Sequence, residues 1–308
     1  VTAAQNNLIN NKDPHQPYLE MLRQVQAGKP TSAKLGYAWA VLASSYQRSG
    51  ETDAALRAYG QALPLLAQSA ESRVNYATAL DNLGEVYLER GDVAEAERVR
   101  EKAFRIRSEL NNPIDLARSH QHLAEILLAE HRYKSAAEHA QAAVSIFTLS
   151  AEPAYTQVLA DSSAQIPAKP GNTLLAAYIT LTYAYCQQTR PAECMKSARM
   201  ASDIANRDFA PVSLERAHAA MALAFAEWKA GDLETSDKGY QTAMSMMKTL
   251  LGENHPVVII GMLEYRDFLK GIHQEGRVDS INREIAKAQE ARAGKECVRC
   301  VVRVATLP

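Results

Sequence analysis

The chain has 308 residues, 47% of them hydrophobic and only 6% aromatic, enough apolar material for two ordinary domains or one long array. A formal net charge of −1 supplies no basic stripe to displace counterions, so nucleic acid is not an expected partner. No apolar run reaches the ~18 residues of a membrane span, and four cysteines in so long a chain do not make a disulfide framework.

Residues 1–31 read as a polar, asparagine-rich lead-in followed by a short helix near Pro17 to Gln26. From residue 32 a pattern begins to recur. Trp39, Leu42, Ala43 and Tyr46 have counterparts at the same spacing in Leu80, Leu83, Gly84 and Tyr87. With Leu42 as anchor, the equivalents are Leu83, Leu123, Leu181, Leu223 and Tyr265, at intervals of 41, 40, 58, 42 and 42 residues. The long interval holds Pro153, Pro167, Pro170 and Gly171, so residues 148–173 are read as an insertion between the third and fourth units.

Positions not used to find the period support it. Thirteen residues after the anchors stand Ala55, Ala96, Ala136, Cys194, Ser236 and Val278; twenty after stand Ala62, Ala103, Ala143, Ala201, Ala243 and Ile285. Small residues at a fixed register mean two helices crossing closely. Eight after the anchors, Gly50, Gly91 and Gly231 are placed to end a first helix, with His131, Thr189 and His273 in the other units. Asp92 and Asp232 follow, as residues that cap a second helix.

This pattern resembles the tetratricopeptide repeat. The first unit fits best, with Trp39, Leu42, Ala43, Tyr46, Gly50, Ala55, Tyr59 and Ala62; the second carries Arg100 where an aromatic is usual. The period is similar to the longer variant of kinesin light chains, and Leu251-Gly-Glu-Asn-His-Pro256 resembles its inter-repeat junction. Asn112-Pro113 plays the same part after the second repeat. The resemblance implies an all-α, right-handed α–α superhelix over residues 32–290, of five helix-turn-helix repeats plus a C-terminal cap that lacks the small residues.

It also implies that the first helix of each repeat lines a concave groove that binds a protein or peptide. Helix periodicity then puts Tyr37 and Arg48 in the groove from the first repeat, Asp81, Glu85 and Glu89 from the second, and Arg118 and Glu125 from the third. The fourth repeat contributes Ile179 and Tyr183; the fifth contributes Met221, Phe225 and Trp228. The groove thus runs from acidic to aromatic. The aromatic end is read either as a binding wall or as a surface covered by the insertion or the chain's own tail. Arg48, Asn82 and Arg118 are the nearest match to a carboxylate clamp, but the surrounding carboxylates oppose it. A basic or amphipathic extended segment is the expected ligand.

Chemical motifs are sparse. Cys297-Val-Arg-Cys300 is a single CxxC without the further ligands of a zinc site, and it is open to a metal, disulfide or incidental reading. His120, His122, His131 and His139 cluster in the third repeat without a metal-binding spacing. No phosphate loop or nucleophile motif occurs, so neither enzyme activity nor a metal or cofactor is expected. The tail, residues 291–308, is valine-rich and reads as a strand that pairs with a second copy, a partner's sheet or the chain's own groove. The expectation is a soluble interaction scaffold, cytoplasmic or exported after loss of a leader. The alternative is a self-associating module, a homodimer through its tail or a chain whose tail or insertion fills its own groove.

Overall fold

A computed structural model describes residues 13–110, 112–150 and 170–293. Thirteen α-helices run through them. A leading helix, α1 (Gln16–Ala27), precedes six helix pairs: α2 (Ser32–Arg48) with α3 (Thr52–Leu66), α4 (Arg73–Arg90) with α5 (Val93–Ser108), and α6 (Pro113–Ala129) with α7 (Tyr133–Ser150). After the insertion come α8 (Pro170–Gln187) with α9 (Pro191–Asp208), α10 (Leu214–Ala230) with α11 (Leu233–Leu251), and α12 (Pro256–Gly271) with α13 (Glu275–Ala293). The expected strand at the tail and the path of the insertion lie outside the described residues, as do Cys297 and Cys300.

The turn inside each pair is built one way six times. Gly50, Gly91 and Gly231 take φ of 72°, 78° and 89°; His131, Thr189 and His273, at the same register, take 60°, 55° and 57°. In each pair the amide of this residue donates to the carbonyl three positions back, and the next amide to the carbonyl five back, as in Asp92 to Tyr87 and Arg132 to Leu127. This is the Schellman closure, which satisfies carbonyls a helix end leaves bare. The left-handed residue is therefore dictated by the turn even where the sequence offers no glycine. Of the two expected aspartate caps, Asp232 accepts from the Thr235 amide, whereas Asp92 makes no cap bond and leans on Arg90 instead.

Four of the first helices start on capping side chains. Thr31, Asn112, Ser213 and His255 each accept an amide of the first turn, and Pro113 and Pro256 occupy first positions where no N–H is needed.

The repeated small residues sit at the crossings. Ala62, Ala103, Ala143, Ala201 and Ala243 are all fully buried. At each of them the two helices approach too closely for a longer side chain. Ala62→Leu is expected to cost about 1–3 kcal/mol through overpacking, read as a lowered urea midpoint with unchanged helix content.

The sixth pair continues the stack rather than ending it loosely. Ile259, Met262, Leu263, Phe268 and Leu269 of α12 enter one apolar cluster with Met221, Phe225, Met244 and Met247 of the fifth repeat.

Candidate concave site

Hydrogen bonds that skip a repeat form only on the inside of a curve. Tyr183 on α8 donates to Glu264 on α12 at 2.8 Å, passing over α10. Gln121 on α6 donates to Thr180 on α8 at 3.0 Å, joining the first helices of neighbouring repeats. The Arg48 carbonyl, at the end of α2, lies 3.4 Å from His255 Nε2, just before α12. The first helices therefore line the inside, and the two ends of the curve meet.

The early half of this interior is a charge network set into α4, α5 and α6. Arg100 and Arg107, both on the outer helix α5, are 1% exposed and reach inward. They occupy register positions where other repeats bury Tyr59, Leu66, Phe147, Tyr240 and Met247. Arg100 fits because Gly84 faces it: a Cβ there would lie 2.7 Å from the arginine side chain. Its guanidinium donates to Glu85 and Glu125, each at 2.7 Å, and to the His122 carbonyl at 2.9 Å.

Arg107 pairs with Asp81 and donates to Ser119 and Thr78, each at 3.2 Å. Burial pushes the Asp81 carboxyl up, but His122, 3.0 Å away, and Arg107 outweigh it and hold it at about 2. Burial and the neighbouring Glu125 charge raise Glu85 above the usual carboxylate range, against the pull of Arg100.

Of the groove residues expected from periodicity, Tyr37 is exposed and Arg48, Glu85, Glu89, Arg118 and Glu125 are exposed or half-buried. Asp81 is buried beneath them on Arg107. The three clamp candidates are all engaged within the chain. Arg48 donates to the Tyr18 hydroxyl and covers its ring, Asn82 donates to Ser44, and Arg118 pairs with Asp115.

The late wall needs correction. Met221 and Phe225, placed in the groove by periodicity, are 4% and 3% exposed and belong to the core. Trp228 is half-buried, edge-on to Phe225 and to Phe268 of α12. Among the described residues, the cover is α12 of the sixth pair. Ile179 and Tyr183 remain half-buried, and Tyr183 is spent on Glu264. Glu264 also accepts from Tyr240 at 3.2 Å, and burial raises it from its ordinary 4.5 to about 7, against the pull of both hydroxyls.

Two features escaped the sequence reading. Cys194, read as a small packing residue, is joined to Cys186 by a disulfide across the α8–α9 turn. The signal was available, since the same register in the third unit buries Leu128 and Ala136. Reduction is expected to lower stability by about 2–3 kcal/mol for so short a loop, and a thiol titration of the folded protein should not detect these two sulfurs. The histidine cluster divides. His120 and His139 face each other at 3.0 Å between Nδ1 atoms, whereas His122 serves Asp81 and His131 takes the left-handed turn. On the outer face Phe104, Leu123, Leu127, Arg132 and His139 line a cavity of about 470 Å³.

The tetratricopeptide repeat pattern matches residues 35–109 and 75–148. No curated protein matches the chain in sequence. Among solved structures, the apo form of RapI is 16% identical with a TM-score of 0.65, covering 94% of each chain. BtubC (BKLC) from P. vanneervenii is 17% identical with a TM-score of 0.54, covering 82% of this chain and 94% of that one. The Rap conjugation gene regulator of the plasmid pLS20, in complex with the Phr* peptide, is 13% identical with a TM-score of 0.55, covering 89% and 73%. At such identities the likeness is one of fold: an all-α superhelix of stacked helix pairs. No helix among the described residues is long and apolar enough to cross a membrane.

Proposed function

Because residues 35–148 match the tetratricopeptide repeat pattern and the helix pairs continue beyond them, we propose that this chain is an interaction scaffold whose concave face holds an extended peptide segment of a partner. The observation that carries this is the interior charge network. Arg100 and Arg107 are buried from the outer helix against carboxylates of the inner helices α4 and α6, at a desolvation cost that apolar residues in the same slots would avoid. Side chains so placed are pre-organised, which lowers the entropy a ligand must overcome. The pLS20 regulator, with the same fold, is solved with a peptide bound, which supports the same use of the fold here.

The binding region in this reading is the early and middle interior, with Tyr37, Arg48, Glu85, Glu89, Arg118, Glu125, Ile179 and Tyr183; the Phe225 and Trp228 end serves as packing. Catalysis has no part in it, and the homodimer through the tail is not needed for it.

A random octapeptide library selected against the full chain tests the reading. Enrichment of basic or amphipathic sequences is the expected result. Selection of acidic C-terminal sequences instead would overturn it.

A further inference from the structure

Among the described residues, two acceptors beside Arg100 are left without a donor. Arg100 takes only the Oε2 atoms of Glu85 and Glu125, each at 2.7 Å. Glu125 Oε1 accepts from the Gln121 side-chain amide at 3.1 Å. Among the described residues, only Oε2 of Glu85 is hydrogen-bonded and Oε1 is not. Gln121, 1% exposed, spends its amide nitrogen on Glu125 and Thr180, while its own Oε1 is buried with no partner.

An acceptor sealed from water with no donor is an unmet cost, and it sits beside two carboxylates that share a single positive charge. That trio keeps one net negative charge. It is open to solvent on the groove side, where the Glu85 and Glu125 side chains are 49% and 29% exposed, while Arg100 behind them is fully covered. The missing component is a cation that carries several N–H donors.

We propose that Glu85, Glu125 and Gln121 seat one cationic side chain, a guanidinium or ammonium, of the bound peptide. Arg100 holds the two carboxylates from beneath, at a spacing that lets one incoming group bridge them. Glu85 Oε1 takes the first donor, and Gln121, whose amide is bonded to Glu125 Oε1, offers its unpartnered carbonyl oxygen for a second. The proposal rests on the peptide reading above and specifies the chemistry of one residue in that peptide.

The experiment uses octapeptides recovered from the library, resynthesised with each Arg replaced by citrulline and each Lys by norleucine. Against the native chain, one such replacement should weaken binding at least tenfold. Against Glu85→Gln the same replacement should matter less than threefold, because the charge it answers is gone. Glu85→Gln alone is the variant of choice, since Glu125 still pairs with Arg100 and the fold is retained; helix content and urea midpoint verify this. Equal losses in both proteins, or octapeptides that bind with no dependence on a basic residue, overturn the cationic seat and leave the peptide reading standing. A library that yields no binder overturns both.

Discussion

Replacing Arg107 with methionine is expected to cost the protein about 3–5 kcal/mol, the largest single-residue effect outside the apolar core. The reason is what the arginine leaves behind. Asp81 is as fully buried as Arg107, and its carboxyl is held at about 2 by His122 and Arg107 against the upward pull of burial. Without the guanidinium, an ionised carboxylate keeps only His122 against it in a site that water does not reach, and Thr78 and Ser119 lose a donor as well. The measurement is the urea midpoint at pH 7. Adding Asp81→Leu to Arg107→Met should recover most of the loss, since the pair is then replaced by apolar bulk of the kind that Leu66 and Phe147 provide in neighbouring repeats. A double variant no more stable than the single one would show that the aspartate is not what the arginine serves.

The second large effect depends on pH. Glu264, under Tyr183 and Tyr240, has its carboxyl raised from 4.5 to about 7. The folded protein therefore binds this proton more tightly than the unfolded chain does. The resulting stabilisation is fully present below about pH 4.5 and is lost as the pH rises through about 7, to a total of about 3 kcal/mol by linkage. Glu264→Gln keeps an acceptor for both hydroxyls and never ionises. It should match the native protein near pH 4.5 and exceed it in thermal stability above pH 8. Equal stability at both pH values would mean that the carboxyl is not confined as described.

Much of this fold was legible in the sequence because a repeat array states its rule many times. The anchors at Leu42, Leu83, Leu123, Leu181, Leu223 and Tyr265 all fall on first helices, and the alanines twenty residues on are all buried at crossings. The left-handed turn was visible only where glycine marked it. His131, Thr189 and His273 adopt it because the stacking of the two helices imposes it, which local composition does not reveal.

The candidate site was less legible. Periodicity states which way a side chain points along its own helix, but not what stands opposite. Phe225 points inward as expected and is covered because α12 lies across it, a fact of superhelical curvature. Arg100 was noticed as an arginine in an aromatic slot, and Arg107 stands one heptad further on the same helix. Two arginines in core slots facing three carboxylates of the inner helices was the pattern that would have located the network.

The central claim is that the partner segment lies on the concave face. A photo-crosslinking benzophenone side chain, placed at the exposed Tyr37 on the inner helix α2 or at Glu101 on the outer helix α5, tests it with a library-selected octapeptide. The expected result is crosslinks from position 37 and none from 101. Crosslinks from position 101 alone would place the ligand in the outer cavity beside His139 and contradict it.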